Sequence, residues 1–100
     1  MGMKLSPKEA ALYEAVDEVL HYIWDPIGVR GVPQARDEYH SYLPQVFRLL
    51  FDGRSAESIA DYLGKVTREN MGLSGNPKND LETAAILVDW KEAVAEKFAQ

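Results

Sequence analysis

The chain contains no cysteine. This absence excludes disulfide bonds, zinc sites built on thiolates, iron–sulfur clusters held by cysteine, and any cysteine nucleophile. The sequence also lacks any apolar run near the ~20 residues that a helix needs to span a bilayer, and no apolar signal-peptide core follows its first residues. We therefore expect a cytoplasmic protein without a membrane-spanning segment.

Basic residues are scarce as well. Eleven Lys and Arg stand against sixteen Asp and Glu, which gives a formal net charge of -5, and no basic run occurs. A surface that binds nucleic acid needs clustered Lys and Arg to displace the counterions of the phosphates, and anionic membranes attract the same residues. We therefore expect neither nucleic acid nor a membrane as a partner.

Sequence motifs of catalysis are missing too. There is no G-x-S-x-G elbow to expose a nucleophilic serine, and no G-K-[ST] phosphate-binding loop. The serines lie instead at positions typical of helix caps and turns. We predict no catalytic residue and no cofactor, so the sequence favours a protein that is not an enzyme.

The residues that are present indicate helices. The length of 100 residues suits one domain, residues 1–100. Ser6-Pro7-Lys8-Glu9 has the form of a capping box with proline in the first turn. Apolar residues then recur at steps of three and four as far as Ile23, and Pro26 prevents continuation. The pattern predicts a first helix over residues 7–24.

The same reasoning predicts three further helices and no strand, which makes an all-α, four-helix domain. They are residues 42–51 with Ser41 as N-cap, residues 56–71 with Ser55 as N-cap and Gly72 at the end, and residues 80–98 with Asn79 or Asp80 as N-cap. The fourth helix is apolar around most of its circumference, more than one neighbouring helix needs. Either it lies centrally among the other three, or part of it faces a partner, such as a second copy in a homodimer.

Acidic residues line one face of the first helix. Glu14, Asp17, Glu18, His21 and Asp25 are spaced so that they share this face, and no Lys or Arg lies between Glu9 and Asp25. We interpret this face as a solvated one. Two alternatives remain open, namely an electronegative surface for a basic protein partner and a set of metal ligands.

Metal binding is the alternative with a recognisable motif. Glu18 and His21 form an E-x-x-H step of the kind that di-iron bundles use, and Asp37 and Glu38 precede His40 in a looser copy. Without a thiolate, only iron, manganese or a zinc site of histidines and carboxylates would suit these residues. The metal candidates are Glu18, His21, Asp37 and His40, with Glu38 beside them.

The segment after the first helix is the most distinctive part of the sequence. Trp24-Asp25-Pro26-Ile27-Gly28 combines an indole donor, a capping carboxylate, a fixed dihedral and a residue free to take positive φ. One interpretation is a hydrogen-bonded corner in which Asp25 or Asp37 pairs with an arginine. The other is a binding patch, because Trp, Tyr and Arg dominate interface energetics. The predicted partner-binding residues are Trp24, Asp25, Arg30, Arg36, Asp37, Glu38, Tyr39 and Tyr42.

Several of these residues carry a resemblance. The pattern W-D-P-I-G at 24–28, D-E-Y at 37–39 with Tyr42, then Leu49-Leu50, Gly53, Ile59, Leu63 and Met71-Gly72, resembles a family of small, mostly helical bacterial proteins of unknown function. The resemblance covers residues 12–72. It implies a helical fold and a bacterial, cytoplasmic setting, and it implies no activity.

These observations favour a non-enzymatic protein-interaction module. A small acidic helical protein has the profile of an inhibitor or immunity protein that neutralises a basic partner, since opposite charge speeds encounter. The alternative is a metal-binding protein or metal-dependent enzyme built on the carboxylate and histidine groups above.

Overall fold

The computed structural model describes residues 5–99, which form helices and connecting turns without any strand. The predicted all-α fold of four helices is therefore confirmed. The helices are α1 (Pro7–Val19), α2 (Leu43–Phe51), α3 (Ala56–Glu69) and α4 (Pro77–Phe98). A π-helical turn, Leu20–Trp24, continues α1, and a short 3-10 turn, Pro33–Ala35, precedes α2.

The first and third helices begin where the sequence predicts. Ser6 and Glu9 form the full capping box, with Ser6 Oγ accepting from the Glu9 amide at 3.1 Å and Glu9 Oε1 accepting from the Ser6 amide at 2.8 Å. Ser55 caps α3 by accepting from the Ser58 amide. These local bonds satisfy amides that the helix itself leaves unpaired, which is why the starts can be recognised from short motifs.

Two predicted caps are wrong. Ser41 does not cap α2, because successive turns across residues 35–43 lead the chain into the helix in an already helical conformation, with Tyr42 at the N-cap position. Neither Asn79 nor Asp80 caps α4, which begins three residues earlier than predicted. Asn76 is the cap, its side chain accepting from the Asn79 amide, and Pro77 occupies the first turn.

Helix α4 lies centrally. It packs against α1, α2 and α3, and α1 and α4 run antiparallel, so that Trp24 meets Asp80 at one end while Leu12 and Val94 line the same hollow at the other. Central placement thus accounts for part of its wide apolar arc, yet Leu81, Trp90 and Phe98 remain exposed. The buried apolar core consists of Leu12, Val16, Val19, Leu20, Trp24, Tyr39, Leu43, Val46, Phe47, Leu50, Ile59, Leu63, Val66, Ala84, Leu87 and Val94.

Among residues 5–99, no helix combines the length and the apolar character that crossing a membrane requires.

Candidate functional site

The corner, which we define as residues 20–42 between α1 and α2, begins with an irregularity in the helix. The amide of Asp25 donates to the carbonyl of Leu20 at 3.1 Å, five residues back, so the last turn is wider than an α-helical turn. Asp25 itself takes a left-handed conformation, φ 33° and ψ 59°, the one non-glycine residue within 5–99 with positive φ. Aspartate tolerates this conformation better than most residues, and the following Pro26 prevents further helix.

The Asp25 carboxylate organises the turn that follows. It accepts hydrogen bonds from the amides of Val29 at 2.7 Å and Arg30 at 3.2 Å, and from the hydroxyl of Tyr39 at 2.8 Å. The Tyr39 oxygen in turn accepts from the amide of Ile27 at 3.0 Å. One carboxylate and one phenol therefore hold the backbone of residues 25–30 in a single conformation.

The surroundings of Asp25 and Tyr39 shift the pKa of both side chains. Burial alone would raise the pKa of Asp25, but the hydrogen bonds from Val29, Tyr39, Arg30 and Gly28 outweigh it and leave this pKa below its ordinary value. The pKa of Tyr39 is raised, chiefly by burial and further by its bond to the Asp25 carboxylate. The pair thus consists of an ionised carboxylate and a neutral phenol that serves as its donor.

Trp24 joins the corner to the beginning of α4. Its indole Nε1 donates to Asp80 Oδ1 at 3.0 Å, and its carbonyl accepts from Asn79 Nδ2 at 3.0 Å. The ring packs against Tyr39, with centroids 5.2 Å apart, and edge-on against Tyr42 at 6.3 Å. Burial raises the pKa of Asp80, although the Trp24 donor and the positive charge of Arg68 act in the opposite direction.

A second polar cluster attaches the far side of the corner to α1. Arg36 donates from its terminal nitrogens Nη1 and Nη2 to the two carboxylate oxygens of Asp17, at 3.0 and 3.1 Å. Its guanidinium carbon lies 5.4 Å from the centre of the Tyr22 ring. His40 Nε2 lies 3.0 Å from the same carboxylate. The hydrogen bond to Asp17 raises the pKa of Arg36. The corner is therefore hydrogen-bonded as one interpretation predicted, but the acid that pairs with an arginine is Asp17 rather than Asp25 or Asp37.

The predicted acidic face of the first helix is not one solvated surface. His21 is only 3% exposed, Asp17 is half-buried in its ion pair, and Asp25 is occupied by the turn. Arg36 and His40 of the corner fold back onto Asp17, a long-range contact that helical periodicity alone does not reveal. Glu14 and Glu18 remain exposed.

The structure does not assemble the predicted metal ligands. Glu18 and Asp37 are exposed, His21 is buried, and His40 is bonded to Asp17. Within residues 5–99 no three histidine or carboxylate side chains converge on a common point.

The predicted partner-binding residues divide into two groups. Trp24 and Tyr39 are buried in the core, so the expectation that they contact a partner directly is wrong; their polar atoms are used internally. The remaining residues reach the surface to different degrees. Asp25, Arg36 and Tyr42 are half-buried, and Arg30, Asp37 and Glu38 are exposed.

Four large apolar side chains at the surface of the corner were not among the named partner-binding residues, although two of them, Ile27 and Val32, lie in the segment from Trp24 to Arg36 that was expected to face a partner. Tyr22, Ile23, Ile27 and Val32, which we call the corner patch, are each between 42% and 48% exposed. Ile23 belongs to the predicted apolar stripe, but the wider π-helical turn rotates it outwards. The available signal was the presence of Ile27 and Val32 in a loop with glycine and proline, where no core position is expected.

Comparison with protein-family models, with curated proteins and with solved structures finds no match. The resemblance to small bacterial proteins therefore stays a prediction.

Removing the Tyr39 hydroxyl should loosen the corner. In Tyr39→Phe, Asp25 loses a donor and the Ile27 amide loses its acceptor, so we expect the free energy of unfolding to fall by about 1–3 kcal/mol. Urea denaturation measures this change. Tyr62→Phe is the matched control, since the half-buried Tyr62 makes no hydrogen bond within the described residues, and it should shift stability by less than about 0.5 kcal/mol. Equal effects of the two substitutions would contradict the assigned role of Tyr39.

The contributions of Asp25 and Asp80 to the free energy of unfolding should change in opposite directions with pH. The folded pKa of Asp25 lies below the ordinary 3.8, so its stabilising contribution is present above that value and is lost as pH falls through the folded pKa. The folded pKa of Asp80 lies above 3.8, so its ionisation costs stability as pH rises from the unfolded towards the folded pKa.

The two asparagine variants test these directions. As pH rises from about 3 to about 7, the free energy of unfolding of Asp25→Asn minus that of the parent protein should fall. The corresponding difference for Asp80→Asn should rise over the same interval. Asparagine at position 80 still offers an oxygen to the Trp24 indole, so the comparison isolates the charge. Denaturation at several pH values measures both differences, and two changes of the same sign would refute the assignment.

Proposed function

We propose that the protein is a non-enzymatic interaction module that binds a basic protein partner through the corner patch. The observation that carries the proposal is the exposure of four large apolar side chains within residues 22–32, a segment whose central part, residues 25–30, is held by internal hydrogen bonds. Apolar side chains that form one exposed patch are typical of protein contacts, and the proposal is that these four do so. The bacterial, cytoplasmic setting belongs to the same proposal.

The internal bonds of the corner support this role. A loop that is ordered before binding loses little conformational entropy when a partner docks. Asp25 and Tyr39 order residues 25–30, and Arg36 fixes the other end of the segment against Asp17. The left-handed conformation of Asp25 is a costly local geometry, and such geometries concentrate at functional sites.

The surrounding charges indicate the kind of partner. Glu14 and Glu18 lie exposed on the helix that leads into the corner patch, and Asp37 and Glu38 lie exposed in the same corner. Arg36 is neutralised by Asp17, Arg30 is an exposed base that donates to the Tyr22 carbonyl, and the chain as a whole carries -5. An apolar centre with acidic surroundings favours a partner with an apolar centre and basic surroundings, as for inhibitors of basic proteins.

Self-association through α4 is the second candidate. Leu81 and Trp90 are exposed on this helix, which supports a homodimer as the alternative partner arrangement.

Affinity capture with matched variants tests the main proposal. Tagged parent protein, Ile27→Ser/Val32→Ser and the control Leu81→Ser/Trp90→Ser are used as baits with an extract of the native host. All four positions are exposed, so circular dichroism should show the same helical content in every bait. We expect a basic protein to be retained by the parent and the α4 control and lost with the corner variant.

The captured partner then decides the electrostatic part of the proposal. Its affinity for the parent protein should fall steeply as salt concentration rises, because the association is steered by opposite charge. Capture that the corner variant leaves unchanged, or binding that does not respond to salt, would overturn the proposal.

A further inference from the structure

A second surface lies beside the beginning of α1 and reaches the last residues of the corner at Ser41. Two neighbouring hollows, of about 560 and 460 Å³, share Glu9 and Phe51 in their linings. Together they cross the beginning of α1, the length of α2 and the second half of α4. We call this surface the Phe51 groove.

The floor of the Phe51 groove is aromatic and apolar. Phe51 is 55% exposed, and its ring stacks on the buried Phe47 with centroids 6.0 Å apart and an interplanar angle of 24°. Tyr13 meets Phe47 edge-on at 5.2 Å. Leu12 and Val94 are buried beneath the second hollow. One face of an ordered aromatic stack is thus left open to a ligand, a feature typical of binding grooves.

The charges around the Phe51 groove differ from those of the corner. Lys8 and Lys91 line it, and neither forms an ion pair within residues 5–99. Glu9 also lines it and keeps its charge while accepting from the Ser6 amide, and Asp52 lies 3.5 Å from Arg48. The lining thus holds three basic side chains (Lys8, Arg48 and Lys91) and two acidic ones (Glu9 and Asp52), so an otherwise acidic protein presents a small net positive charge at its aromatic groove.

From this arrangement we infer that the Phe51 groove binds an amphipathic helix of a partner protein, with an apolar row against Phe51 and acidic residues facing Lys8 and Lys91. Both hollows are partly open to solvent, and together their linings extend over three helices. A helix fits such a shape by burying one apolar face against it. This interface is separate from the corner patch and does not depend on it.

Selection from a displayed library of helical peptides tests the inference directly. The full chain serves as the target, and the selected peptides are then titrated by fluorescence anisotropy. We expect selected sequences with an apolar row at helical spacing and Asp or Glu at the flanking positions. Phe51→Ser should weaken the best peptide at least about tenfold, because the aromatic anchor site is lost.

Two further variants test whether a loss of peptide affinity comes from lost contacts in the Phe51 groove or from a loss of folding. Lys8→Glu should weaken the acidic peptides at least about tenfold without destabilising the protein, because an acid in the first turn of α1 is favourable for the helix. Ile27→Ser/Val32→Ser, in the corner patch, should leave peptide affinity unchanged. This control makes failure here distinguishable from failure of the proposed function.

Four results would overturn the inference. The first is a selection that enriches no peptide, and the second is one whose peptides carry neutral or basic flanks. The third is equal affinity for the parent protein and Phe51→Ser. The fourth is concentration-dependent dimerisation that Phe51→Ser abolishes in sedimentation velocity, which would assign the Phe51 groove to a second copy of this chain instead of a partner helix.

Discussion

The carboxylate of Asp25 is the group on which the exposed surface of the corner depends. It lies where a π-helical turn ends in a left-handed residue, and it receives two backbone amides and the hydroxyl of Tyr39. Each of these bonds compensates for the desolvation of the charge, and together they hold its pKa below the ordinary value. Without this carboxylate the turn would keep the bond from the Ile27 amide to Tyr39 and the backbone bonds of Gly28 and Val32, but the amides of Val29 and Arg30 would lose their acceptor.

The buried polar contacts of this protein orient its segments relative to one another. The bond from Trp24 to Asp80 fixes the beginning of α4 against the end of α1, at the cost of burying a carboxylate. Asp17 holds the second half of the corner through Arg36 and His40. The helices thereby hold two surfaces that differ in character, namely the corner with its exposed apolar and acidic side chains and the aromatic groove with Lys8 and Lys91 in its lining. Two surfaces of different charge suit partners of different chemistry, which is the basis of the two proposals above.

Local motifs made part of this structure predictable, and long-range contacts account for what was missed. The capping box at Ser6 and the cap at Ser55 involve atoms three residues apart, so a short stretch of sequence suffices to locate these helix starts. The π-helical turn has no comparable signal, because its residues continue an ordinary helical pattern until the backbone widens. The bond between Trp24 and Asp80 spans 56 positions and could not be inferred from either neighbourhood. The cover over Asp17 likewise depends on Arg36 and His40, which lie 19 and 23 positions further along the chain.

Native-state hydrogen exchange measured by NMR tests most directly whether the corner is ordered in the isolated protein. The amides of Val29 and Ile27 donate to Asp25 and Tyr39, whereas the amide of Gly31 has no acceptor within residues 5–99. The account predicts that Val29 and Ile27 exchange at least about tenfold more slowly than Gly31 after correction for intrinsic rates. Exchange of all three amides at the rate of an unstructured peptide would contradict it.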